Sequence, residues 1–306
     1  MTDIIVIGAG TAGLSAAIYG MRSGLTVVVI EQMIYGGQIA NTPDVENYPG
    51  IASISGFEFA QNIYNQAVAL GAQVVYETPV AVELEGTVKR VITNQNTYEG
   101  RCVIIANGVE RRKLGCDGEE RLSGRGVSYC ATCDGAFYRG KDVCIVGGGN
   151  TALEDALYLS NSCRTVHLIH RRDQFRASKV IVESVLSREN IQIHYDSVVQ
   201  QIQGENTVES VEIKNKKTGE SSVIPCQGIF IAVGLVAKNQ LFSPAVAVDE
   251  GGYIKAGEDC KTNIPGVFAA GDTRTKSVRQ LVTAAADGAV AAVEAVNYIG
   301  EVPAVR

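Results

Sequence analysis

Twice in this chain a short run of β-branched apolar residues stops at a cluster of glycines and gives way to helical apolar spacing, an arrangement few folds can use. Ile4-Ile5-Val6-Ile7 runs into Gly8-Ala9-Gly10-Thr11-Ala12-Gly13, and Leu14 to Met21 then carries apolar residues at helical intervals. Strand, glycine turn and helix give each glycine its own task. Gly8 permits the tight turn, Gly10 lets the backbone approach a pyrophosphate, and Gly13 lets the helix pack on the strand, so that phosphates meet the positive helix N-terminus. A second strand, Thr26 to Ile30, ends in Glu31, where a carboxylate accepts the ribose hydroxyls of an adenosine. The glycine pattern alone also arises by chance as a structural turn; its flanking strands and the acid give it weight.

The same grammar returns mid-chain. Val143-Cys144-Ile145-Val146 leads into Gly147-Gly148-Gly149-Asn150-Thr151-Ala152 and a helix through about Leu159, with alanine at the third motif position. Its second strand, Thr165 to Ile169, ends in His170-Arg171-Arg172-Asp173-Gln174-Phe175-Arg176 rather than in an acid. A guanidinium matches a phosphate bidentately where a glutamate would repel it, so this unit is expected to take a 2'-phosphorylated adenosine, NADPH over NADH. The bland alternative is a solvated charge run.

Strand-and-glycine grammar resumes at Thr262 to Asp272, and an Ala/Val-rich helix is expected from Arg279 to Tyr298. One nucleotide domain interrupted by another accounts for this order. The expected division is 1–115 and 244–306 for the first, with 116–243 inserted, through linkers around Arg112 to Gly118 and Ala237 to Pro244. The fold class is α/β, two Rossmann-like nucleotide-binding domains of the three-layer ββα type. With 306 residues, 46% hydrophobic and 20% charged, the chain is long enough for about two domains. A net charge of −6 argues against a nucleic-acid partner, and no apolar run reaches membrane-spanning length. Neither a signal peptide nor a membrane partner is expected, and the cytoplasm is the expected compartment.

Within the inserted part, Ser128-Tyr129-Cys130-Ala131-Thr132-Cys133-Asp134-Gly135 sets two thiols two residues apart with an acid after them. Such a pair is half a zinc site, a redox disulfide or an accident of sequence. The histidines, His167, His170 and His194, lack zinc-like spacing with these cysteines, so no metal is expected. Redox use is favoured by the nucleotide sites implied nearby.

The two glycine fingerprints, Cys-Ala-Thr-Cys-Asp-Gly, His-Arg-Arg-Asp-Gln-Phe-Arg-Ala and Gly-Val-Phe-Ala-Ala-Gly-Asp, in this order, resemble the low-molecular-weight thioredoxin reductase family of bacteria over essentially the whole chain. The resemblance implies FAD at the first unit and NADPH at the second, electrons passing to the Cys130/Cys133 disulfide and on to thioredoxin or a thioredoxin-like dithiol protein, a homodimer, and rotation of the inserted domain between half-reactions. It makes Cys133 the flavin-proximal sulfur, Cys130 the thiolate that attacks the partner, and Asp134 the proton donor or acceptor. Gly36, Gly37, Gln38 and Asn47 resemble flavin-side loop residues, Asp272 the acid that contacts the ribityl chain, and Arg279 and Gln280 the start of the helix that meets the flavin ring. Arg125, Phe137 and Tyr138 are candidate docking contacts. Thr11, Asn107 and Ala136 depart from the usual proline, threonine and aromatic; only the last bears on partner choice. The competing readings are a disulfide reductase serving a peroxiredoxin or glutaredoxin-like partner, and a non-catalytic redox sensor.

Overall fold

The computed structural model describes residues 1–42 and 44–301. The chain forms two compact units, Met1–Glu110 with Val236–Arg306, and Arg111–Leu235. The expected linkers lie a few residues from these changeovers, for a local reason at each end. Buried Glu119 accepts hydrogen bonds from the amides of Leu114 (3.0 Å) and Gly115 (2.7 Å) and from the Tyr129 hydroxyl (2.8 Å), so 111–115 join the inserted unit. Asn239 is buried against Thr273 and Gly252, and Phe242 enters the first unit's core, so 236–243 join that unit. Residues 302–306 of the expected final segment lie outside the described residues.

In the first unit a parallel run of strands, Gln73–Tyr76, Val27–Glu31, Thr2–Ile7 and Thr97–Ile105, is extended by Val267–Ala269 and by the antiparallel strands Lys89–Thr93 and Pro79–Glu83. The central strands Thr2–Ile7 and Val27–Glu31 and the end of Thr97–Ile105 read as nearly unbroken apolar runs because both their faces are covered. Ile4, Val6, Val27, Val29, Cys102 and Ile104 face a core built with the helices Thr11–Arg22 and Leu281–Glu301. Ile5, Ile7, Val28, Ile30, Val103 and Ile105 face a second core with Leu84, Val91, Phe242 and Val246. The period of two sorts one run of residues into two cores.

The inserted unit repeats the plan with three layers. Its parallel sheet, in the order Ile191–His194, Thr165–Ile169, Asp142–Val146, Gly228–Ile231 and Val127–Ser128, turns Val143, Ile145, Val166 and Leu168 to the helices Asn150–Ser160 and Lys179–Leu186. Cys144, Val146, Ile169 and Ile229 turn to a three-stranded antiparallel sheet, Ser197–Gln203, Ser210–Asn215 and Ser221–Pro225, through Ile202, Val211, Ile213 and Ile224. This is the three-layer ββα arrangement expected from the sequence.

On the edge strand Ile191–His194 and its neighbour Thr165–Ile169, His194 and His167 lie diagonally across the pairing, with Nδ1 of His167 3.2 Å from Nε2 of His194. That bond requires one nitrogen to be unprotonated. Burial holds both imidazoles below the ordinary histidine value; Asp142, itself paired with Arg164, partly offsets this at His167, and His167 adds to it at His194. The unfolded chain therefore binds more protons than the folded one in the window below an ordinary value of about 6.5. Stability is complete above that pH and declines as pH falls through it toward the folded values. Melting followed by circular dichroism between pH 8 and pH 5 should show a fall in Tm that is smaller in His194→Gln, where one of the two groups no longer titrates.

Candidate functional site

The first glycine turn is built as its spacing predicts. Gly8 has φ +106°, and a Cβ there would lie 2.5 Å from the Ala106 carbonyl oxygen. A Cβ on Gly13 would lie 1.9 Å from the Gly8 carbonyl oxygen, whereas one on Gly10 would meet nothing within 4 Å. The outer two glycines are thus closed against backbone and the middle one faces open space, the shape a phosphate needs. Thr11, Ala12 and Gly13 are the first residues of the helix, whose N-terminal amides point into that space. Glu31 closes the second strand; its carboxylate accepts the Ala9 amide (2.8 Å) and the Met33 amide (3.0 Å), which fix it beside the turn. Gly36 is tied to the same turn by its amide on the Ala9 carbonyl (2.7 Å), Gly37 takes φ +64°, and the Gln38 amide donates to the Val109 carbonyl. Asn107 donates to the Lys238 carbonyl (3.0 Å) and the Asn239 side chain (3.1 Å), leaving its buried Oδ1 without a partner among the described residues.

Asn47 and Gln280, far apart in sequence, meet at 3.3 Å. Gln280 opens the helix Leu281–Glu301: its carbonyl accepts the Ala284 amide and its own amide donates to the Thr283 hydroxyl (3.1 Å). Arg279 lies over the Tyr253 ring at 4.2 Å and reaches the Asp272 carbonyl. Asp272 sits in the turn Gly271–Thr273, and sequence reasoning missed what holds that turn. Asp287, buried midway along the long helix, accepts from the Gly271 amide (2.9 Å), from Arg274 Nε (2.8 Å) and Nη2 (2.7 Å), and from Lys276 Nζ (2.9 Å). Burial pushes its carboxyl up, and the bonds from Arg274 and Lys276 outweigh that and hold it below the usual carboxylate range. The signal was present, since a lone acid inside an Ala/Val helix needs a partner.

In the inserted unit the glycines divide the work differently. A Cβ on Gly147 would lie 2.4 Å from that of Ala152, one on Gly148 would lie 2.0 Å from the His170 ring, and one on Gly149 would meet nothing within 4 Å. Asn150, Thr151 and Ala152 open the helix behind this turn, and Asn150 Oδ1 accepts the Ser178 amide (2.9 Å). Arg171, Arg172 and Arg176 are exposed, and the Arg176 amide donates to the Gly148 carbonyl (2.7 Å), which sets this segment against the turn. His170, expected among the cofactor contacts, is buried: its ring lies under Gly148 and its Nε2 is bonded to the Gln174 carbonyl (2.9 Å), a support for the turn rather than a side chain on its open face.

Cys130 and Cys133 form a disulfide across the short helix Ala131–Asp134, their Cα atoms 5.3 Å apart and both residues half-buried. Asp134 accepts from the Ser128 hydroxyl at 2.6 Å, and its Oδ1 is buried without a partner among the described residues. Burial raises its pKa, against the Ser128 bond and the charge of Arg111. Phe137 and Arg125 are exposed, while Tyr138, expected with them on a docking face, packs edge-on against Phe230 at 5.3 Å. Among the described residues there is no cluster of three or more metal-ligating side chains and no helix long and apolar enough to cross a membrane.

Residues 2–288 match the pyridine nucleotide-disulphide oxidoreductase family. The chain belongs to that family. Among curated relatives it is 45% identical to a thioredoxin reductase of Treponema pallidum over 97% of each chain, and 43% identical to one of Listeria innocua over 98% of this chain and 94% of the other. The crystal structure of thioredoxin reductase from Streptococcus pyogenes superposes with a TM-score of 0.94 at 42% identity over 99% of each chain. This pyridine nucleotide-disulphide oxidoreductase is thus a flavoprotein enzyme whose cofactors are FAD and NADPH. The residues fit them. The open face at Gly10 and the orphaned Asn107 oxygen suit a bound dinucleotide, as do the open face at Gly149 and the exposed arginines.

Asp287→Asn strands two buried cations behind the Asp272 turn. Urea unfolding should show a loss of about 3 kcal/mol or more, the range for breaking a buried ion pair from one side; a loss under about 1 kcal/mol would mean the cluster is solvated.

Proposed function

We propose that the chain is a thioredoxin reductase, oxidising NADPH and reducing the disulfide of thioredoxin or a thioredoxin-like dithiol protein. The observation that carries this reading is the Cys130–Cys133 disulfide, held beside a half-buried acid in the same unit as a glycine turn flanked by three exposed arginines. Gly8, Gly10, Thr11, Ala12, Gly13, Glu31, Gly36, Gly37, Gln38, Asn47, Asp272, Arg279 and Gln280 hold FAD; Gly147, Gly149, Asn150, Thr151, Ala152, Arg171, Arg172 and Arg176 hold NADPH, with His170 beneath. FAD supplies the conversion of a hydride into the electron pair that opens a disulfide.

Opening Cys130–Cys133 takes two electrons and two protons and leaves two thiols. Asp134, kept protonated to higher pH by its burial, gives a proton to the sulfur released. Loss of its proton makes Cys130 the thiolate that attacks one sulfur of the partner's disulfide, expelling the other; Cys133 then loses its proton and attacks Cys130 in the mixed disulfide, the two protons are made up on the partner's sulfurs, the partner leaves as a dithiol, and the Cys130–Cys133 bond re-forms. Nicotinamide and disulfide belong to one unit and serve one flavin in turn, so the inserted unit rotates about its two crossings with the first. Val282, Ala286, Val290 and Val293 form an exposed apolar stripe on the long helix that supports a homodimer. Free thiols at the six other cysteines support a reducing cytoplasm, and the net charge of −6 supports a protein partner over nucleic acid.

The test is steady-state NADPH oxidation with oxidised thioredoxin. Cys130→Ser and Cys133→Ser should each reduce turnover to background; full turnover in both would sink the reading and favour a redox sensor, while activity only with glutaredoxin-like or peroxiredoxin partners would move the substrate. Asp134→Asn should lower kcat roughly 10²-fold. As pH rises through the raised Asp134 pKa the acid loses its proton and its role, so the wild-type alkaline decline should flatten in this variant.

A further inference from the structure

Asp173 is out of place in a phosphate site. It stands between Arg172 and Arg176, where a carboxylate opposes the charge those arginines supply. A second carboxylate, Asp196, joins it: the Asp196 amide donates to the Arg172 carbonyl (3.1 Å), and the residue takes φ +52°, a left-handed conformation that aspartate tolerates better than most side chains. One ammonium answers both. Lys217 Nζ lies 3.2 Å from Asp173 Oδ2 and 3.0 Å from Asp196 Oδ2.

The backbone aims Lys217 there. Asn215 Oδ1 accepts the amides of Lys217 (2.9 Å) and Thr218 (3.0 Å), closing the hairpin tip between the strands Ser210–Asn215 and Ser221–Pro225. The Lys216 amide donates to the Asp196 carbonyl (2.6 Å), which pins the tip to the residue whose own amide is bonded to Arg172. Hairpin, Asp196 and arginine segment are therefore linked through backbone bonds, with the lysine placed over the carboxylates.

We propose that Lys217 is a specificity-determining residue for the coenzyme: by neutralising Asp173 and Asp196 it keeps the segment Arg171–Arg176 attractive to the 2'-phosphate of NADPH. This rests on the reading of that segment as the 2'-phosphate site. A 2'-phosphate carries more than one negative charge at neutral pH, and a carboxylate within a Debye length of about 8 Å repels it unless a cation intervenes. The lysine does not need to touch the coenzyme. Its pairs are exposed and screened, so the effect is modest and salt-dependent: roughly two- to fivefold, the span of measured exposed ion pairs.

The experiment titrates the holoenzyme calorimetrically with adenosine 2',5'-bisphosphate and with 5'-AMP at low salt. Lys217→Met should weaken the bisphosphate roughly two- to fivefold while leaving 5'-AMP unchanged, and the loss should shrink as salt is raised. Lys217→Arg should retain wild-type binding, and adding Asp173→Asn to Lys217→Met should recover part of the loss by removing one of the two carboxylates. In turnover, KM for NADPH should rise by the same factor with kcat and the NADH parameters unmoved. If Lys217→Met weakens both ligands alike, or neither, the proposal is overturned. Arg172→Gln separates the two readings: a selective loss there with none in Lys217→Met removes this inference alone, and no selective loss in Arg172→Gln removes the phosphate site itself.

Discussion

Everything functional in this molecule hangs on the closeness with which a helix start is pressed against the end of a strand. At Gly13 the approach leaves 1.9 Å between a would-be Cβ and the Gly8 carbonyl oxygen, less than any side chain allows. That contact brings the helix N-terminus and its unpaired amides up to the strand edge while Gly10 stays open, so one steric exclusion creates both an anion-binding end and the room in front of it. The rest of the first unit braces this point. Gly288 of the long helix is pressed onto the same helix start, where a Cβ would lie 2.1 Å from the Ala12 carbonyl oxygen, and a Cβ on Gly271 would lie 2.8 Å from that of Ala12. The Asp287 cluster therefore sits one residue from a contact with the helix Thr11–Arg22, and the turn bearing Asp272 is registered to it by packing and by charge at once.

The inserted unit reaches the same end with its small residues redistributed. Where the first turn gives up a methyl at Gly13, the second keeps one at Ala152 and gives it up at Gly147. Gly148 yields its own methyl to the His170 ring, which is why that histidine is buried although it begins a run of exposed arginines. A side chain adjacent in sequence to a charged site is thereby used to prop the turn, and its imidazole is satisfied by the Gln174 carbonyl.

Much of this was legible in the residues. Thr165–Ile169 is a strand over the expected bounds, and the helices expected at Leu14 to Met21 and through about Leu159 run Thr11–Arg22 and Asn150–Ser160. Periodicity and glycine spacing are local signals, and these elements are local. The long helix starts at Leu281 rather than Arg279 because Gln280 and Thr283 cap it, a detail of side-chain bonding that apolar spacing does not carry. What could not be read were the partners of particular acids: Asp287 with Arg274 and Lys276, Glu119 with the amides of Leu114 and Gly115, Asp173 and Asp196 with Lys217. Each is an acid whose partner is chosen by the fold. The packing of Tyr138 is likewise set by a residue far along the chain, since Gly228 makes room for its ring and a Cβ there would lie 2.4 Å from it.

The two units also carry opposite chemistry at one position of the fold. Glu31 ends its strand with a carboxylate already held by two backbone amides, so it is a fixed acceptor. The matching strand in the inserted unit ends at Ile169, and after His170 the chain continues through exposed guanidiniums. A hydroxyl acceptor needs a rigid oxygen, whereas a phosphate receptor needs charge, reach and freedom to fork around three oxygens. A rigid acid in one unit and exposed arginines in the other suit these two chemistries respectively.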